Sequence, residues 1–477
     1  MIGQHIRAII FDLDGVLMLS TDCHRAAFDE VFRGLGIDDF DYTPYAGWRT
    51  LEVIADVLTR RGQSASAETI AAAAAEKSAR ARELLYASQP LAPGCEALLA
   101  KLAADYHLAL ASSGSRSSVD SFLQLTGSRS LFRSVLSGGD VTKAKPDPEI
   151  YKLSAQRLGL KPSECLVVED ALAGVKAARA AGAEVVGLAG TYSADMLREA
   201  GACETISTLV DLEDLLSSAD AQPIDSTSWT AVIPAAGRGS RLGFHRPKIL
   251  YPVAGRPILD WLLDCLEPNC SRLVFVLSPE GADDVSAELN GRIPGRFEVV
   301  IQETPTGMGD AVALGLARVR TRNVAIVWGD QVALRPASVE SCMRLHAGPL
   351  EPDATCPTVM RPDPYIHFDR DAEGSLSGLR QAREGDTMPA TGESDTGFFS
   401  FQAEPLRRWL DRLRQQGVAT GSATREFNFL PVIPMAAAEG LVVTPRIMQL
   451  EETVGINSGP DAAGVEEYLR SAHGCRV

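Results

Sequence analysis

At 477 residues the chain has room for two or three domains of about 150 residues each. Apolar residues make up 45% and charged residues 23%, a composition that supports ordinary cores and excludes a disordered or fibrous chain. Asp plus Glu number 62 against 46 Lys plus Arg, and the resulting net charge of −16 opposes nonspecific binding to nucleic acid or an anionic membrane.

In chain order, the apolar run Ala8 to Phe11 ends at Asp12 and reads as a first buried strand. From Leu17 to about Ser88 only helical patterns occur, including the alanine-rich Ala67 to Leu85, so residues of about 17–88 are expected to form a helical cap inserted after that strand. Leu108 to Ser112, Cys165 to Val168 and Val185 to Leu188 then alternate with helical stretches such as Ala173 to Ala181, the pattern of a doubly wound parallel sheet. Residues 217–228 are polar, contain Pro223 and lack any period, which marks a linker between domains 1–216 and 229–477.

The second half opens on Thr230 to Pro234 and continues with strand patterns at Leu273 to Leu277, Phe297 to Gln302, Asn323 to Trp328, Gly397 to Phe401 and Leu441 to Pro445. Helical stretches such as Pro257 to Leu266 and Met308 to Val319 lie between them, so a second doubly wound α/β domain is expected. Nine cysteines with no C-x-x-C pair fit a reduced, cytoplasmic protein without a disulfide framework or structural zinc. No stretch approaches 18 consecutive apolar residues, so neither a spanning helix nor a signal peptide is expected.

Asp12-Leu13-Asp14-Gly15 follows the first strand, and residues two apart on a strand face one side, so both carboxylates leave the same sheet edge. Paired carboxylates there suit Mg²⁺ and phosphate, with Asp12 placed to attack phosphorus and Asp14 to move the proton of the ester oxygen. Ser112 ends the next strand pattern, Lys145 follows a loop, and Glu169-Asp170 end a third strand. This series resembles the haloacid-dehalogenase-like phosphohydrolases with a helical cap, of the beta-phosphoglucomutase-like kind. The resemblance implies Asp12 as nucleophile and Asp14 as general acid/base, with Gly15, Ser112 and Lys145 as phosphate holders. It implies Asp12, Asp14, Glu169 and Asp170 as magnesium ligands. In related sugar phosphomutases a histidine at the place of His24 contacts the counterpart of Asp14, and a lysine stands where this chain has Ala46. That departure favours a phosphatase over a mutase.

Pro234 to Ile258 begins where a strand ends and contains Gly237-Arg238-Gly239. A dinucleotide fingerprint needs a further glycine or alanine where Leu242 stands, whereas Arg241 and Lys248 add cations that suit a triphosphate. Gln302 to Ala311, Trp328-Gly329-Asp330 and Gly455-Ile456-Asn457 follow, and Asp330 and Asn457 offer oxygen ligands for Mg²⁺. The series resembles the sugar-phosphate nucleotidyltransferases, most nearly the uridylyltransferase domain that makes UDP-N-acetylglucosamine, with its GT-A-like α/β fold. Transfer of NMP from an NTP to a sugar 1-phosphate is implied, with Arg241 and Lys248 neutralising phosphates. Ala235, Ala236, Gly237, Gly239, Gln302 and Gly307 would hold the nucleotide, and Asp330 with Asn457 the metal.

Where that family shows N-T-G this chain has Asp395-Thr396-Gly397, and Gln381 stands near the position of an expected glutamate. N-acetylglucosamine is therefore not the expected acceptor, and Asp395, Gly397 and Glu426 are candidate acceptor residues. Glu393 and Glu426 are expected to make that pocket acidic. No hexapeptide repeat follows, so acetyl transfer is not expected. Together the halves imply a phosphatase that leaves a sugar or cyclitol 1-phosphate for the transferase, with UTP favoured and CTP or another NTP open. Open alternatives are a mutase feeding the transferase, a CTP-dependent transferase with a phosphocholine-like acceptor, and loss of catalysis in one domain.

Overall fold

The computed structural model describes residues 5–63, 65–216, 224–237, 242–417, 420–421 and 423–472, which fall into two units dividing near residue 221. The first contains strands β1 (Ala8–Phe11), β2 (His107–Ala111), β3 (Phe132–Leu136), β4 (Cys165–Glu169), β5 (Glu184–Leu188) and β6 (Glu204–Ile206). They form one sheet in the order β3-β2-β1-β4-β5-β6, and every pairing is parallel. Strands of a parallel sheet are covered on both faces, and the four residues of β1 and five of β4 are correspondingly all buried. The strand order reverses between β1 and β4, where a doubly wound sheet opens its ligand crevice.

Between β1 and β2 stand helices α1 (Thr21–Gly34), α2 (Thr50–Arg60) and α3 (Ala67–Ser88). The chain leaves and re-enters the sheet domain side by side, through a bridge between Met18 and Leu91. Phe28, Val31 and Phe32 of α1 pack with Tyr42, Tyr45, Ala46 and the apolar face of α2 in a core of their own. The N-terminus of α3 is capped by Ser66, whose Oγ accepts from Thr69 N at 3.1 Å. Ala73, Ala74, Lys77, Ala81 and Leu85 form the buried stripe of α3, at the three- and four-residue spacing of one helix face.

The second unit contains β7 (Trp229–Pro234), β8 (Pro252–Val253), β9 (Arg256–Pro257), β10 (Arg272–Leu277), β11 (Phe297–Ile301), β12 (Asn323–Val327) and β13 (Ala354–Thr355). It continues with β14 (Thr358–Pro362), β15 (Ile366–Arg370), β16 (Leu376–Gln381), β17 (Thr391–Asp395), β18 (Phe398–Gln402) and β19 (Val442–Val443). Seven of them form a sheet in the order β11-β10-β7-β12-β18-β13-β19. It is α/β as expected, but mixed rather than wholly parallel, because β18 runs antiparallel to both β12 and β13. The reason is the path before β18. The antiparallel pairs β14-β17 and β15-β16, which the sequence patterns do not reveal, return the chain from the opposite end of the sheet. Two apolar cores cover the faces of this sheet, one centred on Trp229, Phe275 and Phe398, the other on Phe399, Phe401 and Phe429. Of the expected linker, residues 217–223 lie outside the described residues, and Ser226–Ser228 form a 3-10 turn leading into β7. Among the described residues no helix is long and apolar enough to cross a membrane.

Candidate active sites

Parallel register brings the ends of β1, β2 and β4 to one edge, and Lys145 reaches it from the loop beyond β3. Its Nζ donates to Asp12 Oδ1 at 2.6 Å, Glu169 Oε1 at 2.7 Å and the Ala111 carbonyl at 3.3 Å. Glu169 Oε1 also accepts from Tyr151 Oη at 2.6 Å, and Oε2 from the Ala171 amide at 3.1 Å. Both oxygens of this expected metal ligand are therefore engaged in holding Lys145, Tyr151 and the turn. Asp12, Glu169 and Asp170 each bring a carboxylate oxygen within 4.8 Å of the others, a hard, all-oxygen donor set that fits Mg²⁺. Burial pushes the Asp12 carboxyl well above its usual range, with Glu169, Asp14 and Asp170 adding to burial and Lys145 opposing it. Burial likewise pushes Asp170 up to about 7, with the Glu169 charge adding to it.

Asp14 stands outside that carboxylate trio. Its Oδ1 accepts from Ser20 Oγ at 2.7 Å and meets His24 Nε2 at 2.8 Å. Burial alone would raise its pKa, but the charge and hydrogen bond of His24, the Ser20 hydroxyl and Lys77 together bring it well below the usual carboxylate range. His24 Nδ1 in turn lies 2.9 Å from Lys77 Nζ. Lys77, which no motif marks inside the alanine-rich helix, is 5% exposed, and burial brings its ammonium down to about 8. A cavity of about 580 Å³ between cap helices and sheet edge is lined by Asp12, Asp14, His24, Arg49, Lys77 and Ser113 to Ser115, among others. Ser112 is fully buried behind that lining rather than in it, its Oγ accepting from Gly114 N at 2.9 Å. Gly15, at φ +86°, passes so close to Asp170 that a Cβ would fall 2.0 Å from Oδ2.

In the second unit the ends of β7 and β12 adjoin. Lys248 Nζ donates to Asp330 Oδ2 at 2.7 Å and Asn457 Oδ1 at 2.9 Å, so two oxygens expected at a metal converge on one cation. These oxygens too fit a hard cation that keeps most of its ligands from water and phosphate. A cavity of about 370 Å³ is lined by Ala235, Ala236, Gly237, Lys248, Gln302, Gly307, Asp330 and Glu426, among others. Gly239 and Arg241 lie outside the described residues. Gln302 Nε2 donates to the Gly307 carbonyl at 3.2 Å. Gly307, at φ +123°, lies against the Phe427 backbone, where a Cβ would come within 2.5 Å of the carbonyl oxygen.

A neighbouring cavity of about 280 Å³ shares Met308, Trp328 and Asp330 with the first and adds Gln331, Arg361, Gln381, Arg383, Asp395, Gly397, Asn428 and Asn457. Its expected acidity is corrected by the structure. Glu393 is buried outside the lining and paired with Arg370 at 2.5 Å and Arg446 at 3.2 Å. Burial would raise its pKa, but Arg370, Arg446 and the Thr358 hydroxyl bring it to about 2. Glu426 lines the larger cavity instead, with its Oε2 2.7 Å from Arg383 Nη2. Asp395 does line the smaller cavity; its Oδ2 accepts from Gly397 N at 3.1 Å, and burial pushes its carboxyl upward.

Residues 6–182 match the haloacid dehalogenase-like hydrolase family, and residues 231–393 match the MobA-like NTP transferase domain family. The chain thus joins a haloacid dehalogenase-like hydrolase domain to an NTP transferase domain. Over 249 residues it is 30% identical to the bifunctional protein GlmU of Pseudomonas paraeruginosa, covering 51% of this chain and 52% of that one. The bifunctional protein GlmU of Cellvibrio japonicus is 27% identical over 244 residues, 50% of this chain and 51% of that one. The chain spans about half the length of these curated relatives. Among solved structures, beta-phosphoglucomutase from Clostridium difficile is 28% identical at a TM-score of 0.40, covering 43% of this chain and 93% of its own. CbbY from Rhodobacter sphaeroides, in complex with phosphate, is 30% identical at 0.39, covering 43% and 96%.

Proposed function

We propose that the chain is a bifunctional enzyme of nucleotide-sugar or nucleotide-cyclitol formation. Its first domain is a magnesium-dependent phosphatase acting on a phosphorylated sugar. Its second transfers NMP from an NTP, UTP by preference, to a sugar or cyclitol 1-phosphate. One observation carries this reading: each sheet brings a lysine and oxygen ligands to the point where its strand order reverses, Lys145 with Asp12 and Glu169, and Lys248 with Asp330 and Asn457.

In the first domain Asp12 attacks phosphorus, the ester bond breaks, and the leaving oxygen takes a proton from the Asp14-His24 pair. Water then gives a proton to Asp14 and attacks the phosphorus, breaking the bond to Asp12 and releasing inorganic phosphate. Lys145 and Ser112 neutralise and orient the phosphoryl oxygens, and Lys77 meets the rest of the substrate from the cap. Asp12, Glu169 and Asp170 would hold Mg²⁺, which would supply further charge neutralisation for the transfer. Ala46 packs into the apolar cluster of the cap, and the cations that the cap brings to the cavity are Arg49 and Lys77.

In the second domain an oxygen of the acceptor phosphate attacks the α-phosphorus, and the bond to the β-phosphate oxygen breaks with loss of pyrophosphate. The nucleophile is already ionised, so alignment and charge neutralisation by Lys248 provide the catalysis. Sequential action requires that the phosphatase leave a 1-phosphate. The test is a panel of sugar and cyclitol bisphosphates beside their 1-phosphates, assayed for phosphate and then pyrophosphate release. A phosphatase product that is never nucleotidylated would refute the sequence.

A further inference from the structure

Gln331 follows Asp330 at the end of β12, and nothing in the mechanism above uses it. Its backbone is pinned: the amide donates to the Trp328 carbonyl at 3.1 Å, and the residue bridges Gly455 in antiparallel fashion. The side chain is 5% exposed, lines the smaller cavity beside Asp330, Asp395 and Asn457, and its Oε1 is buried without a hydrogen-bond partner. Buried polar atoms are nearly always paired, so a carboxamide that lines the cavity while its own oxygen is buried and orphaned points to a ligand group, which that oxygen meets when the carboxamide turns about its plane. Packing also fixes where it stands. Gly397, at φ +75°, passes so near that a Cβ would fall 2.3 Å from Gln331 Nε2 and 2.7 Å from Cδ. Gly397 thus leaves the carboxamide room that any side chain would take.

We propose that Gln331 is the residue that reads a ring hydroxyl of the transferase acceptor. The inference rests on the nucleotidyltransferase reading and deepens it, by placing the acceptor in the polyhydroxylated class of hexose or cyclitol 1-phosphates. A carboxamide offers one acceptor oxygen and two donor hydrogens, and rotating its plane exchanges them; a hydroxyl, which both donates and accepts, answers either face. A phosphocholine-like acceptor, whose quaternary ammonium has no N–H and which carries no hydroxyl, leaves Oε1 unpaired. A site built to bond a hydroxyl rejects the analogue that lacks it far more strongly than an apolar pocket rejects a missing methylene.

The test is pyrophosphate release by the full chain with Mg²⁺ and each NTP. The acceptors are glucose, galactose, mannose and inositol 1-phosphates, the monodeoxy analogues of the best of them, and phosphocholine. Wild type is compared with Gln331→Met, which keeps length and volume, and with Gln331→Leu; UTP binding and melting temperature report folding of each. The expected result is one monodeoxy analogue used at least about 1,000-fold less well by wild type in kcat/KM. Gln331→Met should lower the parent acceptor by a similar factor and that analogue by less than about 3-fold, so that the two losses do not add. Equal losses on parent and analogue, unchanged selectivity, or phosphocholine as the preferred acceptor would each overturn the proposal. Pyrophosphate release by wild type with selectivity unmoved in Gln331→Met ends this inference alone. No release by wild type with any acceptor ends the transferase reading and this inference with it.

Discussion

Lys145 Nζ lies 2.6 Å from Asp12 Oδ1 in a pair whose side chains are 1% and 9% exposed. Glu169, also 1% exposed, holds the same ammonium at 2.7 Å. Removing one partner of a buried ion pair leaves an uncompensated charge, at a cost on the order of 3–5 kcal/mol. Lys145→Met should therefore lower the melting temperature of the first domain and abolish phosphate release, while pyrophosphate release from the second is retained. Differential scanning calorimetry beside both assays checks this.

Divalent-cation binding to the first site should tighten as pH rises through 7. Burial and the Glu169 charge push Asp170 up to about 7, so below that pH the carboxyl is protonated and the cation must displace the proton. Affinity should fall roughly tenfold per pH unit below 7 and level off above about 8. Isothermal titration with Mg²⁺ at pH 6 and pH 8 measures it, and Asp170→Asn should flatten the dependence while weakening binding throughout.

Lys77 is costly to keep charged. Burial lowers its folded pKa to about 8, whereas the unfolded chain holds that proton to about 10.4. Between these values the unfolded state binds more protons, so this group's contribution to stability rises with pH there, and the full penalty applies below pH 8. Lys77→Met should stabilise the first domain at pH 7 by up to about 3 kcal/mol, a gain that shrinks to nothing near pH 10.5. The same substitution should impair phosphate release. Denaturant melts at pH 7 and pH 10 read the stability, and an unchanged difference between them would exclude the assigned cause.

Gly307 adopts φ +123° with the Phe427 carbonyl 2.5 Å from where a Cβ would stand, and both atoms are backbone-anchored. Gly307→Ala should strain the loop by about 1–3 kcal/mol and weaken NTP binding at least tenfold, with phosphate release by the first domain unaffected. Titration with a fluorescent NTP analogue checks it.

Strands β1 and β4 are legible in the sequence because a strand covered on both faces must be apolar throughout, and Ala8 to Phe11 and Cys165 to Val168 are. β14 to β17 are not, because their burial is partial and irregular, as in the exposed Met360 and half-buried Leu376. The reversal of β18 follows from those pairs and was equally hidden. At the sites, residues that end strands announce themselves, whereas partners brought by tertiary packing do not. Lys77 sits 53 positions from His24 in a helix whose other buried residues are mostly alanine. The acidity expected from Glu393 is absent because Arg370 and Arg446, 23 and 53 positions away, close on it. Gln331 is marked only by the missing partner of its oxygen, which no spacing records.

In the proposed function two separate sites perform two separate transfers. The most direct measurement compares the full-length wild type with Asp12→Asn and Asp330→Ala, assaying phosphate release from a sugar bisphosphate and pyrophosphate release from NTP plus the corresponding 1-phosphate. Asp12→Asn is expected to lose phosphate release by at least about 1,000-fold with pyrophosphate release intact, and Asp330→Ala to do the reverse. Loss of both activities in either variant, or of neither in both, would contradict it.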